Sequence, residues 1–590
     1  MASRQDDRLP TPAARPPGRF EGLRRHRRWL CALAVVALLA QMAVAMVTAA
    51  VQQTPTIDEP VYVGTAETYV REHTLRFNPE HPPLGKLIIA SGLVFAHPHL
   101  DAHFTGDQTA LGRRLLYESG NDPWRVMLWA RLPVIVLTLL FGLVVFAFAR
   151  ELVGGVGGLM SLALYAFSPD VIAHGSLATL DVPAAGFLLT SVWLVWRARR
   201  QRPLLHLALA GVALGAAAAT KMSTLPAVPV LLLLAFHSFW SFSSPSSPST
   251  SSSFSPLSSF SSFSSFWHAR RSPGPALRAQ ARLVVLGVAV AAGTALVALA
   301  VIWATYLVVD PQLRWATPAN VPAVHGLRGL AIDWLPAPRP YRDGMRIQFG
   351  FENATWSGFL FGRLYHGSLW YYLPAALLVK TPIGMLVLWL IGLAVLVAVP
   401  RLRPAAPYVL LPPAVLLAVA MTGSRDLGVR YALFVPVFLA VAAAGVLALR
   451  HRWAHFGAAA LVLFVGVSSL RAFPYYLPYS NEAFGGPSKT HLRLHDSNVD
   501  WGQDLGRLAD RLAERYPSER VWLVYKGSGV PSSYGIEAAD PRKAPPSEVH
   551  GLLAVSDSAV AKADGRLASL LDGATPVDEV GYSITIYRRR

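Results

Sequence analysis

From Trp29 to Ala472 the chain returns again and again to long apolar runs, and many of these runs end in arginine. The first, Trp29 to Val51, is long enough to cross a bilayer, which takes about 20 residues as a helix. Inside lipid no water is present to satisfy backbone N–H and C=O groups, so each such run must be helical. Arginines mark the inner ends of spans. Here they gather at 24–28, at Arg150, at Arg197, Arg199, Arg200 and Arg202, at Arg270, Arg271, Arg278 and Arg282, at Arg401 and Arg403, and at Arg450 and Arg452. Threading the runs between these marks gives eleven spans with the N-terminus inside and the C-terminal segment outside. The charged fraction is 15%, against about 25% in a soluble chain. The net charge of +18 is accounted for by the arginines at span ends and comes with no nucleic-acid-binding motif, so nucleic acid is not a partner.

The expected organisation is a basic, disordered cytoplasmic tail at 1–28, a membrane module at 29–473 and a small α/β domain at 474–590. The first span is read as retained, because a signal peptide has a shorter apolar core and a small-residue cleavage site. The later spans fall at 127–148, 154–167, 182–196, 204–219, 225–236, 283–309 and 369–399, then one ending near Met421, then 431–449 and 456–472. Outer loops are expected at 52–125 and 310–368. The Ser-rich, Phe-punctuated tract at 241–266 cannot bury a core and reads as a cytoplasmic insertion. In the tail, Leu505 to Arg515 reads as a helix, and Val521–Tyr525, Gly551–Val555 and Ser583–Tyr587 read as strands. The single cysteine, Cys31, excludes internal disulfides and any multi-cysteine zinc site.

Ionisable residues beside a membrane are costly and usually have a task. The stretch from Thr56 to Lys86 collects several. Asp58 and Glu59 directly follow the first span, and His81-Pro82-Pro83-Leu84-Gly85-Lys86 comes soon after. Each has a structural alternative. Thr56 and Glu59 have the spacing of a capping box, although Pro60 fits that helix start poorly. His81 with its prolines can form a rigid turn, and Lys86 can snorkel along a surface helix. Asp181 can cap the fourth span, with Pro183 just inside it, and Arg131 can anchor the second at the interface. Taken together the pattern is stronger. Asp58, Glu59, His81, Lys86, Arg131, His174, Asp181, Lys221, Lys380, Arg425 and Arg430 all fall at the outer face. A transporter places such groups near the midplane; a one-sided cluster points to chemistry on a substrate presented outside.

These residues resemble the signature of the protein O-mannosyltransferases, and are similar to that of the bacterial lipid-carrier-dependent transferases that include the aminoarabinose transferases of lipid A. Asp58-Glu59 and His81-Pro82-Pro83-Leu84-Gly85-Lys86 carry the resemblance most specifically. It extends to 174–183, 424–431 and the run Asp496-Ser497-Asn498-Val499-Asp500-Trp501-Gly502-Gln503-Asp504. Two features depart from the family pattern: nothing reads as a β-trefoil insertion, and the Ser-rich tract has no counterpart.

The resemblance implies a polytopic helical membrane protein of the GT-C fold with a small extracytoplasmic α/β domain. It implies a glycosyltransferase whose donor is a sugar on a polyprenyl phosphate and whose acceptor is a hydroxyl on protein, lipid or glycan. In that scheme Asp58 is the general base, the anomeric carbon is inverted, and Glu59 and Asp181 position hydroxyls. Arg131, with Lys86 or Arg430, stabilises the leaving phosphate, and His81, His174, Lys221 and Arg425 complete the substrate site. No cofactor is required; a divalent metal is compatible but not necessary. The competing readings are a transporter of lipid-linked sugar, and a scaffold whose exported tail is the functional part.

Overall fold

The structure is a computed structural model and describes residues 19–102, 104–243 and 275–590. The expected tail up to residue 18 and the Ser-rich tract from residue 244 lie outside the described residues. Helix begins at Arg19, before the expected start at Trp29, and runs to Gln52. Each of the eleven expected spans meets helical structure. Seven helices among the described residues are long and apolar enough to cross a membrane, or nine if each of two bent pairs counts as one span.

The two bends correct the sequence expectation. The run at 369–399 is not one helix but two, Tyr372–Lys380 and Ile383–Ala398, meeting at 119°. Proline accounts for the break. It has no amide hydrogen to give the helix, and it drives the residue before it out of the helical region. Thr381, ahead of Pro382, is extended with ψ 132°. The other pair, Gly155–Ala166 and Pro169–Gly175, turns by 63° at Ser168-Pro169. Lys380 at the end of the first helix reaches Asp170 beside the second bend, with Nζ 3.4 Å from Oδ1 and neither side chain more than 5% exposed. Its ammonium also donates to the carbonyls of Leu477 and Asn498. One buried lysine therefore joins both bends to the chain leading into the C-terminal domain.

The loop after the first span, expected on the outer side, holds the helices Glu59–Arg71 and Pro83–Ala96. Tyr62, Ala66 and Tyr69 are buried as the spacing predicts, whereas Val70 faces out at 46% exposure. The segment 310–368, also expected outside and left without elements by the sequence pattern, contains the helices Gly326–Trp334 and Arg339–Glu352 and a hairpin of β1 (Ser357–Leu360) and β2 (Arg363–His366).

The C-terminal domain is a four-stranded sheet of β3 (Val521–Val524), β4 (Gly551–Ser556), β5 (Ala574–Val580) and β6 (Ile584–Arg589), in the order β3-β4-β6-β5. Only β3 and β4 run parallel. Alternation assigns the faces. Leu523, Leu552 and Ile586 pack with Leu505 and Leu508 of the helix Leu505–Arg515. Trp522, Val524, Leu553 and Val555 pack with Leu567 and Leu570 on the other side. Strand β5 was missed by the sequence reading; Pro576 and a run of polar residues hide its alternation.

Helix pairs approach closely at glycine, as is common where apolar helices pack in lipid. A side chain at Gly92 would meet the carbonyl oxygen of Trp129 at 1.9 Å, and one at Gly392 that of Ala442 at 2.4 Å. These neighbours are backbone and cannot rotate away. Gly92→Ala should therefore cost about 1–3 kcal/mol, read as a lower melting temperature in detergent. An unchanged melting temperature would mean that the helices Pro83–Ala96 and Pro123–Val153 are not in this register.

Candidate active site

The site is built where three distant stretches meet: the start of the loop after the first span, the chain around Asp181 and Lys221, and the segment 425–431. The loop Asp496–Asp504 clasps them. Thr54 N–H donates to the Gln503 carbonyl at 3.0 Å and Ile57 N–H to that of Trp501 at 3.0 Å. Asn498 Oδ1 accepts from Val429 N at 2.9 Å, and its Nδ2 donates to Tyr372 Oη at 2.9 Å. The residues just before Asp58 and just before Arg430 are thus fixed to one loop.

Asp58 sits at the N-cap of the helix Glu59–Arg71, yet its side chain caps no amide. Instead it accepts from Arg430 Nη1 at 2.5 Å, and it is 27% exposed. Asp181 likewise does not cap its helix, Asp181–Ala198, whose cap is Leu180. Its carboxylate pairs with Lys221, which overturns the capping alternative. Arg425 is held by Glu352 and Gln348 at 2.9 Å each. These three bases surround one ring, with Lys221 Nζ 5.4 Å, Arg425 Cζ 5.8 Å and Arg430 Cζ 5.1 Å from the centre of Tyr431. Arg430 also lies 4.4 Å from the ring centre of Trp501. Aromatic faces attract cations, so Tyr431 holds together a charge cluster that repels itself. Among the described residues Tyr431, the last of the resembling run 424–431, belongs to this site together with Glu352 and Gln348, which were missed from sequence; nothing in their spacing marks them.

His81 lies edge-on to Tyr62 at 5.7 Å between ring centres, and its Nδ1 is buried without a partner. Burial, then Lys221, Lys86 and Arg425, hold its imidazole well below the usual histidine range and so neutral. His174 is fully buried against Trp501, with neither ring nitrogen bonded.

Three expected site residues turn out to be structural. Arg131 is fully buried and spends all five of its N–H groups inside the fold. Nε and Nη2 grip Glu59 at 2.8 and 2.7 Å. The others go to the carbonyls of Ala50, Gln53 and Thr54 at 2.7 to 3.2 Å. No donor remains for a phosphate. Glu59, also fully buried, further accepts from the amides of Thr56 and Ala178, each at 2.8 Å. Burial opposes its charge, and Arg131 overcomes that and holds the carboxyl below the usual range. The Thr56 contact is the one the capping-box spacing anticipates, but the helix starts at Glu59 itself. Lys86 is buried and gives its three hydrogens to Asn78 O, Asn78 Oδ1 and His81 O at 2.8, 3.2 and 2.7 Å. Burial pushes its ammonium down to about 7. It holds the turn before the helix Pro83–Ala96 rather than snorkelling or facing substrate.

Beside the cluster lies a cavity of about 1030 Å³, between residues 74–109 and 314–351, with Glu80 and Phe351 in its wall. Arg425 sits over the Phe351 ring at 5.5 Å.

Removing one partner of a buried ion pair leaves a bare charge and costs about 3–5 kcal/mol. Arg131→Ala should accordingly lower the melting temperature sharply, and Glu59→Gln should do so too. A normally folded Arg131→Ala protein with weakened donor binding would return Arg131 to the site.

Residues 34–306 match the family model described as dolichyl-phosphate-mannose-protein mannosyltransferase. No curated protein sequence matches the chain. The solved structures it resembles include the S. cerevisiae protein O-mannosyltransferase Pmt1–Pmt2 complex bound to the sugar donor. That likeness has 19% identity and a TM-score of 0.33, over 48% of this chain and 33% of the other. The chain thus spans about a third of that relative's length. ArnT from Cupriavidus metallidurans bound to undecaprenyl phosphate is 15% identical over 94% of this chain and 97% of that one, at a TM-score of 0.44. The Archaeoglobus fulgidus oligosaccharyltransferase AglB, in complex with an inhibitory peptide and a dolichol-phosphate, is 11% identical over 92% and 72%, at 0.41. The matched residues 34–306 carry Asp58, Glu59, His81, Lys86, Arg131, His174, Asp181 and Lys221, and are similar to the protein O-mannosyltransferase family model.

Proposed function

We propose that the protein moves a sugar from a polyprenyl phosphate to an acceptor hydroxyl at the extracytoplasmic face, with inversion and with Asp58 as base. The observation that carries this reading is the state of Arg430. Its Nη1 holds Asp58 at 2.5 Å, while its Nε is buried and has no partner. A buried N–H left unmade costs about 1–3 kcal/mol, and a phosphate oxygen is the kind of group that satisfies it. One guanidinium then touches the base on one side and the leaving group on the other.

The chemistry runs as a single displacement. The acceptor oxygen forms its bond to the anomeric carbon while Asp58 takes the hydroxyl proton. The bond from that carbon to the phosphate oxygen breaks, and its electron pair leaves with the phosphate. The phosphate is a stable anion and needs no general acid, only cations placed where its charge grows. Arg430, Lys221 and Arg425 are the groups for that task, in place of Arg131 and Lys86. Asp181, beside Lys221, positions a hydroxyl of the sugar. The cavity walled by Glu80 and Phe351 gives room for the acceptor, whether protein, lipid or glycan. The scheme calls for no metal or cofactor. The polyprenyl tail stays in the bilayer, so the donor arrives laterally.

Asp58→Asn keeps the shape of the side chain and removes its basicity. Turnover should fall about 100-fold or more, the usual scale for a lost general base, with donor binding within a few-fold of normal. Thin-layer analysis of a radiolabelled polyprenyl-phosphate sugar reads this directly, because only bond cleavage releases the free lipid phosphate. Full release by Asp58→Asn would remove it as base, and no release by the native protein with any donor sugar would favour a transporter.

Orientation has its own test. In a Cys31→Ser background, cysteines at Gln201 and Ser569, both exposed, should differ in labelling by an impermeant reagent. Only position 569 should react in intact cells. Equal labelling would overturn the placement of the C-terminal domain outside.

A further inference from the structure

We propose that the C-terminal domain carries a structural divalent-metal site of the zinc type, formed by His491, Asp557 and Glu579 and separate from the residues of the transfer reaction.

The three side chains come from three segments that the sequence keeps far apart. His491 is in the short helix Pro487–Leu492, on the link from the membrane module. Asp557 follows β4 directly, and Glu579 lies in β5. One ligand atom from each falls within 4.8 Å of both others. Asp557 is buried at 4% exposure. Its Oδ1 accepts from Thr585 Oγ1 at 2.7 Å, but its Oδ2 has no partner. Facing it at 3.9 Å is Nδ1 of His491, also buried and also without a partner. That separation is too long for a hydrogen bond. Two orphaned polar atoms of opposite character, aimed at one point and held apart, are what a missing third body between them would leave.

The donor set selects the ion. One imidazole with two carboxylates suits zinc and its neighbours; magnesium and calcium take oxygen ligands. Zinc sits about 2.0–2.2 Å from such atoms, so tetrahedral ligands are roughly 3.4 Å apart. The cluster must contract a little, and it can, since His491 and Glu579 are only partly buried. Burial and then Glu579 and Lys489 act on His491, with a net shift that keeps the ring neutral and able to bind metal. Burial raises Asp557 to about 6, and Asp504 adds to the effect. Glu579 is raised by burial and by Asp557 and Asp578, with His491 and Lys489 opposing. A dication relieves this crowding of acids.

The site has a place in the architecture. The residue after Asp557, Ser558, accepts from Asp496 N at 2.9 Å and donates to the Asp500 carbonyl at 3.2 Å. A metal at Asp557 would fix the link, the sheet and the clasp loop 496–504 in one unit.

The test uses the full chain in detergent, stripped with EDTA, dialysed and titrated with zinc chloride by calorimetry, with bound zinc counted by mass spectrometry. About one zinc per chain should bind and raise the melting temperature, and excess magnesium should not compete. His491→Ala and Glu579→Gln, at partly exposed positions that tolerate change, should each weaken zinc binding at least tenfold while keeping the native circular dichroism spectrum. Asp557→Asn should abolish binding if it folds, and the other two variants decide the matter if it does not. No saturable zinc uptake, or uptake unchanged in both His491→Ala and Glu579→Gln, would overturn the site. Transfer activity is not the readout, so the outcome is independent of the role given to Asp58.

Discussion

The buried pair of Glu59 and Arg131 is the contact on which the rest of the site depends. Two charges at 0% exposure are stable only when every hydrogen-bonding position is filled, and here they are. The pair ties together the end of the first membrane helix, the second, and the loop through Ala178 that leads to Asp181. Asp58 is the next residue along. It is held in place by a neighbour whose carboxylate is bonded to Arg131 and to the amides of Thr56 and Ala178. Of the two adjacent acids, Glu59 is sealed and Asp58 is 27% exposed.

The C-terminal domain is part of that construction rather than an appendage. Its entry loop, Asp496–Asp504, replaces solvent over Thr54, Ile57 and Val429 with backbone and amide hydrogen bonds. Trp501 closes over both Arg430 and His174. Drawing water away from Arg430 strengthens every charge interaction it makes. The loop also begins near Lys380, whose buried ammonium bonds the Asn498 carbonyl and holds the two helix bends. The bends themselves come from prolines, but the angle at which they are held comes from this lysine and its partners.

The acids and bases of the site were legible as a set, because charge beside a membrane is rare and stands out from its apolar surroundings. Their individual roles were not. Arg131 looks like an ideal phosphate ligand by position, and Lys86 by its motif; both are consumed by the fold. Tyr431 looks like one more interfacial aromatic and proves to be the hub of three cations. The C-terminal helix Leu505–Arg515 and three strands were read correctly from periodicity, whereas β5 was lost to its proline and the hairpin at 357–366 to its short strands.

By itself the sequence determined the solvent. Long apolar runs closed by arginine leave only helices in lipid, and the ionisable residues stand out at the ends of those runs. Tertiary structure alone decided which charge meets which. Asp58 and Arg430 are 372 positions apart, and Glu59 and Arg131 are 72. Periodicity tells which side of a helix a residue occupies and says nothing of the helix opposite. A carboxylate beside a membrane becomes a base or a staple only when packing has chosen its cation.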